Sequence, residues 1–421
     1  YYLLCVWWDK MSENDNESMK PLRELGNNYF KDNLFKEEEK IMKYGKQLAI
    51  GRKRNGSIYY LDMREAARIV ILGKTRSGKS FLIRAIADRI KKIGYSIVYL
   101  TDVKNEAFSS KEPVQEKFRH LLLDNEKPEG MRIVTLRPTF FKQIDRGSIP
   151  KANRYYSVNL GAMTKADFMT LMNAESMTQP QQIILEIIFE KMAGKENFSL
   201  EDINAVIDEI NELNAAQKLA MRFKFRPLAT SYFYEKEHEK NIIDMIRNDI
   251  AVAINMENFD QFGQGGFLYP EVFVSMVMRM VINARVKKVI PPMLLILDES
   301  SRFVPVDKNP CCKRDVMEAV DIYGRYGISM VFGVQEITKI PIQIVKQARF
   351  LCIPYSADVG TIRDCLIMSS MVRNIQSSSN DAIYLKKSLK KYEWLILDTI
   401  NNTKEIVKIT CPLSNHVETG D

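Results

Sequence analysis

The sequence predicts an α/β protein with a mainly parallel, wound sheet, a helical insertion and a small β-hairpin at its amino-terminal side. Three observations carry that prediction. Ala67 to Leu72 is a β-branched apolar run long enough for a buried strand; the glycine-rich octet Gly73 to Ser80 follows; and Phe81 to Ile90 then reads as a helix. Apolar strand-like runs recur along the chain between helical segments, which is the pattern of a parallel sheet covered on both faces. Far downstream, Met293 to Leu297 is a further apolar run that ends in two carboxylates, Asp298 and Glu299. A strand of this kind delivers an acid pair to the carboxyl edge of a parallel sheet.

The octet Gly73-Lys74-Thr75-Arg76-Ser77-Gly78-Lys79-Ser80 fills every fixed position of the phosphate-binding pattern G-x-x-x-x-G-K-[ST]. Its glycines let the backbone curl so that successive N–H groups and the start of the helix, at Phe81, converge on the β- and γ-phosphates of a nucleotide. Lys79 is expected to place positive charge on the transferring phosphate and Ser80 to ligate magnesium through its hydroxyl. Asp298 is expected to hold the same ion, directly or through water, and Glu299 to polarise the attacking water. An apolar run ending in Asp-Glu is by itself a common strand end. Behind a phosphate loop on the same chain it points to an ATP hydrolase, because a protein that only binds nucleotide has no need of the second acid.

The remaining elements fall in order around these two sites. Residues 1–45 read as a charged arm, with a short helix through Tyr29 to Tyr44. Its first ten residues include the apolar, aromatic Tyr1 to Trp8, too short to span a bilayer; Met11 is the expected start, and the alternative is a truncated membrane anchor. Residues 46–160 form the first part of the core: strands at Gln47 to Arg52 and Ile58 to Leu61 around an Asn55-Gly56 turn, the phosphate loop, and strands at Tyr95 to Leu100, Ile133 to Leu136 and Tyr155 to Leu160. Residues 161–248 read as the helical insertion, in which Thr164 with Asp167 and Ser199 with Asp202 are helix starts. Residues 249–421 complete the core, with strands at Ile250 to Ile254, Met293 to Leu297, Ile328 to Val334 and Arg349 to Pro354. A long helix is expected over Phe273 to Val286, a glycine-rich turn at Gly263 to Gly266, and a closing strand pair within Glu393 to Thr410. Met276, Met278 and Met280 are expected to be core packing.

Composition sets outer limits. A chain of 421 residues with 46% hydrophobic content supports a nucleotide-binding core with appended units and excludes a chain disordered over most of its length. A net charge of +8 is compatible with a polyanionic partner without requiring one. The six cysteines show no C-x-x-C spacing and the three histidines are far apart in sequence, so neither a zinc site nor a disulfide framework is indicated. With no secretion signal in view, a cytoplasmic protein is expected, membrane-associated only if an anchor precedes Tyr1.

These residues carry a family resemblance. Ile50-Gly51-Arg52, the octet, Asp102-Val103-Lys104-Asn105-Glu106, Asp298-Glu299-Ser300-Ser301-Arg302-Phe303-Val304-Pro305, Gly324-Arg325-Tyr326-Gly327-Ile328 and Val334-Gln335 together resemble the HerA/FtsK group of ring-forming ATPases, closest to the HerA branch and its relatives in conjugation and in archaeal viruses and plasmids. The likeness spans roughly residues 47–415. It implies a RecA-like P-loop core, ATP and Mg²⁺ as ligands, and a homo-oligomer, a hexamer, that threads double-stranded DNA through a pore. It further implies Gln335 as a γ-phosphate sensor and Arg325 as a finger reaching the neighbouring subunit's site, with Arg302 and Arg349 as other candidates at strand edges. Arg76 departs from the family, which usually has glycine there, as does Ser300, where alanine is usual. The family's amino-terminal β-barrel is largely absent, which puts docking to a nuclease partner in doubt.

For DNA contact the candidates are Met221-Arg222-Phe223-Lys224-Phe225-Arg226 and Lys386-Lys387 with Lys390-Lys391, both equally readable as solvated faces. The leading expectation is an ATP-driven DNA translocase. The alternative from another class is a nucleotide-gated component of a secretion or virion assembly that acts on protein. A monomeric kinase is disfavoured by the distance in sequence between loop and acid pair and by the lack of a lid-like arginine cluster.

Overall fold

The computed structural model describes residues 47–63, 65–102, 106–138, 141, 154–156, 163–172, 174, 177–193, 199–225, 242–257, 270–373 and 379–415. The arm at 1–45, the Gly263 to Gly266 turn, Val103 to Asn105 and the end of the expected strand beyond Tyr156 lie outside the described residues.

Among the described residues twelve strands form one sheet. In chain order they are β1 (Gln47–Lys53), β2 (Ile58–Asp62), β3 (Arg68–Leu72), β4 (Ser96–Asp102), β5 (Ile133–Pro138), β6 (Arg154–Tyr156), β7 (Ala251–Asn255), β8 (Met293–Leu297), β9 (Ile328–Val334), β10 (Phe350–Pro354), β11 (Glu393–Asp398) and β12 (Thr403–Ile409). The spatial order is β2-β1-β12-β11-β10-β3-β9-β8-β4-β7-β5-β6. From β10 to β6 every pairing is parallel. From β10 outward to β2 every pairing is antiparallel.

The helices are α1 (Lys79–Lys92), α2 (Lys165–Leu171), α3 (Gln179–Met192), α4 (Leu200–Glu209), α5 (Ala215–Phe225), α6 (Ile242–Arg247), α7 (Pro270–Val286), α8 (Ser300–Phe303), α9 (Cys311–Asp321), α10 (Ile342–Gln347), α11 (Val359–Arg373) and α12 (Ser379–Ser388). Among the described residues, no helix is long and apolar enough to cross a membrane.

The parallel strands read as unbroken apolar runs because both faces are covered. Successive residues of β3 show this: Ile69 and Ile71 pack with α1, whereas Val70 and Leu72 pack in the opposite layer with α7 and α9. The chain between β6 and β7 contributes α2 to α6 to that second layer. Both expected helix starts there are reciprocal capping boxes, Thr164 with Asp167 and Ser199 with Asp202; the start at Thr178 with Gln181 is a third. Met278 is fully buried and Met276 nearly so.

The amino-terminal hairpin is not a separate leader. Gly51, Arg52 and Lys53 of β1 pair with β12, so the first and last hairpins together extend the main sheet by four antiparallel strands. Gly51 permits that junction: a Cβ there would lie 2.4 Å from the Lys408 carbonyl oxygen. A buried ion pair ties the same region. Arg349, at the entry to β10, donates Nη2 to Asp62 Oδ2 at 2.8 Å, and its Nε lies 4.0 Å from Asp398 Oδ1. The Arg349 to Asp62 pair links the end of the first hairpin to the parallel core, and that burial removes Arg349 from the candidates for an exposed finger.

Helix α1 has an unusually polar buried side. Arg84 donates to Ser109 and Ser110 hydroxyls and to the Asn415 carbonyl. Arg89 grips Glu126 through Nε and Nη2 at 2.7 and 2.6 Å, and Asp88 accepts from the Ser414 amide and hydroxyl. The segment at Ser414 and Asn415 is thereby locked onto the helix that follows the phosphate loop.

Removing the Arg349 side chain takes this ion pair away from the buried Asp62 carboxylate, which costs up to about 3–5 kcal/mol. Arg349→Ala is therefore expected to lower the urea midpoint by a corresponding amount, with Asp62→Ala of similar effect and the double variant less destabilised than the sum of the two.

Candidate nucleotide site

Strand β3 ends at Leu72 and the octet turns immediately into α1, with Gly78 as the cap residue at φ +89°. No side chain caps the start of α1 and its first turn holds no acidic residue. The amides of that turn are the ones a helix cannot satisfy internally, so they face an anion position with nothing of the helix's own competing. Gly73, at φ +156°, donates its N–H to the Val334 carbonyl at 2.9 Å. A Cβ on Gly73 would lie 2.0 Å from Ser77 Oγ, so the first glycine is required sterically. That Ser77 hydroxyl is buried with no hydrogen-bond partner among the described residues, an orphaned polar atom inside the loop.

Arg76 sits exposed at φ +65°. This position of the loop needs a left-handed backbone, which glycine adopts freely and arginine at a cost. The departure from glycine therefore leaves the loop's shape intact and turns a side chain to solvent. Phe81 packs against the core beneath the loop, so it offers the site its backbone rather than its ring.

The acid pair comes to the same place. Strand β8 is separated from β3 by β9 alone. Its run ends at Leu297, with Asp298 and Glu299 just beyond the carboxyl edge. Lys79 Nζ lies 2.7 Å from Asp298 Oδ1 and 2.7 Å from Glu299 Oε1. Burial of Lys79 opposes its charge, but the two carboxylates raise its pKa above the ordinary lysine value. Gln335, the first residue after β9, donates Nε2 to Glu299 Oε2 at 3.0 Å. Lys79, Asp298, Glu299 and Gln335 thus meet within hydrogen-bond distance although the loop and the acids are 220 residues apart. Ser80 is half-buried on the first turn of α1.

Hydrogen bonds hold this turn. The Asp298 carbonyl accepts from Thr101 Oγ1 at 2.7 Å, and its Oδ1 accepts from the Glu299 amide at 2.9 Å. Glu299 itself is left-handed, at φ +50°, and caps the short α8. Ser300 donates its hydroxyl to the Leu297 carbonyl at 2.6 Å, a buried bond that alanine could not make.

Gly333 is the residue that motif reading misses. A Cβ there would lie 2.3 Å from Asp298 Oδ1, so only glycine lets the acid sit against β9. The available signal was a glycine inside an otherwise apolar strand, which marks close approach of another group.

Other named residues lie elsewhere. Arg325 is exposed in a single 3₁₀ turn before β9, its guanidinium 5.0 Å from the Tyr326 ring centroid. Because β9 runs parallel to β3, Arg325 stands at the opposite edge of the sheet from Lys79, roughly 20 Å away along a seven-residue strand. Arg302 is half-buried, 4.0 Å from Glu271. Asp102 is structural in its contacts: its carboxylate accepts from the amides of Glu106 and Ala107, and burial pushes its pKa up to about 7.

Of the basic and aromatic run in α5, Met221 and Phe225 are core residues, Phe225 lying 5.9 Å from Phe168 in a stacked pair. Arg222 pairs with Asp208, and Arg226 is outside the described residues. In α12, Lys386 donates to the Tyr355 carbonyl at 2.6 Å.

A glycine-rich loop between β3 and α1, with an acid pair brought to it two strands away on a wound parallel sheet, defines a P-loop ATPase. The family described as Helicase HerA, central domain, matches residues 45–267, more than half of the chain, and the protein belongs to that family. It is a P-loop ATPase of the HerA/FtsK type. No curated protein matches the sequence.

Solved structures of similar fold include VirB4 of Thermoanaerobacter pseudethanolicus, at 13% identity over 87% of this chain and 97% of that one, with a TM-score of 0.55. The bacterial conjugative coupling protein TrwBdeltaN70 matches at 11% identity over 91% and 94%, with a TM-score of 0.50. The genome packaging NTPase B204 from Sulfolobus turreted icosahedral virus 2, in complex with ATP-gammaS, matches at 13% identity over 81% and 97%, with a TM-score of 0.35. At these identities the likeness to VirB4 and to TrwBdeltaN70 speaks to the fold alone.

Gly333→Ala is expected to push Asp298 out of place and slow ATP hydrolysis by about 100-fold, as misplacement by an ångström does elsewhere. The far-ultraviolet circular dichroism spectrum should stay that of the wild type.

Proposed function

We propose that the protein is an ATP-hydrolysing ring motor that translocates double-stranded DNA, as in packaging, conjugative transfer or DNA processing. The observation that carries the hydrolytic part is the convergence of Lys79, Asp298, Glu299 and Gln335 on the mouth of the phosphate loop. A binding-only site has no use for Glu299 hydrogen-bonded to Gln335 beside the lysine. Membership of the HerA family and the net charge of +8 support a polyanionic track.

The residues present suit a triphosphate and its divalent ion. Uncapped amides at the start of α1 and the unpartnered Ser77 hydroxyl are donors awaiting an anion. The Ser80 hydroxyl and Asp298 carboxylate are hard oxygen ligands of the kind magnesium takes. Bound Mg²⁺ would neutralise charge on the β- and γ-phosphates.

The chain's own residues then divide the work. Lys79, held as a cation by the acids, passes its charge to the γ-phosphate. Glu299 orients a water and takes its proton, and Gln335 reports through its bond to Glu299 whether the γ-phosphate is present. Ser77 and the loop amides hold the β-phosphate. Arg325, too far from its own chain's site and exposed at the other sheet edge, is the candidate for insertion into a neighbouring subunit's site, which requires a ring, six-membered in this reading.

Glu299→Gln should retain ATP binding and lose hydrolysis by about 10²–10⁴-fold. The deciding measurement is the ATPase rate with and without linear duplex DNA. Stimulation by DNA that falls as salt rises is expected; a rate indifferent to DNA would overturn the translocase reading in favour of a protein-directed assembly ATPase.

A further inference from the structure

The phosphate site has a direction. Asp298, Glu299 and Gln335 all lie on the β9 and β8 side of the loop, so the terminal phosphate of a bound triphosphate belongs on that side. The nucleoside end must then extend the other way, toward the strands that flank β3 opposite to β9. These are β10 and, beyond it, β11, one and two strand spacings away, or about 5 and 10 Å.

That edge carries an aromatic cluster. Trp394 of β11 pairs with Pro354 at the end of β10, and a Cβ built on Gly78 would lie 3.7 Å from the Trp394 Cζ2, so this strand pair touches the loop itself. Asp358 in the following turn is held below the usual carboxylate range by hydrogen bonds from Thr361 and by the charge of Lys74 of the loop. At the same end of this strand pair stand Tyr355, just past β10, and Tyr392, just before β11. Their ring centroids are 6.3 Å apart and their planes are inclined at 57°, a tilted pair in mutual contact whose outer surface, on Tyr392, is open to solvent.

The two backbones are fixed: the Tyr355 amide donates to the Glu393 carbonyl at 3.0 Å, and Lys386 holds the Tyr355 carbonyl. Tyr392 is 63% exposed and left-handed at φ +70°, a conformation that is costly for a large side chain. Its neighbour Lys391 places an ammonium 5.0 Å from the Tyr392 centroid.

We propose that Tyr355 and Tyr392 form the nucleobase subsite of this ATPase, taking the purine ring of ATP against their π faces at the β10 and β11 edge beside the phosphate loop. An extended aromatic surface favours the larger purine over a pyrimidine, because stacking scales with shared area. The inference rests on the reading of Lys79 and its loop as the triphosphate site.

Calorimetric titration of the full chain with ATP, CTP and inorganic tripolyphosphate separates the two. The wild type is expected to bind ATP more tightly than CTP. Tyr392→Ala and Tyr355→Ala should each weaken ATP binding by about 5- to 150-fold, the range measured for one base on one aromatic ring. Tripolyphosphate binding should stay within twofold, which also reports that the loop is folded, and Tyr392→Phe should bind ATP as the wild type does. Unchanged ATP affinity in both alanine variants, or a parallel loss of tripolyphosphate binding, would overturn the subsite while leaving the loop's role intact. Lys79→Ala is the control for the underlying reading: it should abolish binding of ATP and tripolyphosphate alike, and if it changes neither, the triphosphate assignment fails and the subsite with it.

Discussion

Lys79 lies between two carboxylates that belong to a strand 220 residues away, and most of the architecture serves to bring those groups together. A buried ammonium cannot be left alone, and neither can two adjacent carboxylates, so each half of the site stabilises the charge of the other. The arrangement holds only if β8 ends level with β3 across the intervening β9. The parallel register does this: Leu72 pairs with Val334, and Leu297 pairs with Phe332 two residues earlier on the same strand. The Gly73 amide fastens the loop to the last residue of β9, and Gly333, one residue before, leaves room for Asp298. Strand β9 is thus the spacer that sets the distance between phosphate loop and acid pair.

The same logic accounts for the antiparallel wing. A loop at the edge of a parallel sheet is only as rigid as the strands on both sides, and β10 would be an exposed edge without β11, β12, β1 and β2. Arg349 and Asp62 secure this extension to the core, and Arg84, Asp88 and Arg89 secure α1 to the segment from Thr410 to Asn415. The segments before and after the ATPase motifs therefore brace the phosphate loop from behind. Apart from Ile50-Gly51-Arg52 in β1, no motif in them is legible in the sequence, because bracing depends on pairing between distant parts of the chain.

What the sequence discloses follows from this division. The octet, the acid run and the capping boxes at Thr164 and Ser199 are local patterns whose meaning depends on the next few residues, so they can be read directly. Each central strand is legible as an apolar run because both its faces are buried. The joining of β1 to β12 is not, since an Asn-Gly turn specifies a hairpin and says nothing of what its outer strand pairs with. Helices α11 and α12 carry weak amphipathic signals, and Gly333 is one glycine among many until Asp298 is set against it. The α5 run of basic and aromatic residues misleads in the opposite direction: Phe225 and Met221 are there to pack against the core, and the charges simply occupy the remaining helix face.

Backbone strain marks the site independently of any motif. Among the described residues six non-glycines have left-handed φ values. Asp249, Lys288 and Asn402 occur in turns leading into strands, where such conformations end a helix or close a hairpin. Arg76, Glu299 and Tyr392 all lie along the carboxyl edge of the parallel sheet, on β3's loop, after β8 and beside β10. Each could relax if replaced by glycine, yet each presents a side chain at that edge: Arg76 to solvent over the phosphate loop, Glu299 to Lys79 and Gln335, and Tyr392 to Tyr355. Strain of order 1 kcal/mol or more per residue persists only where surrounding contacts over-determine the conformation. At these three positions, at the acid pair, in the phosphate loop and at the pair of Tyr355 and Tyr392, the backbone is held in an unfavourable conformation while a side chain is presented at the same edge of the sheet.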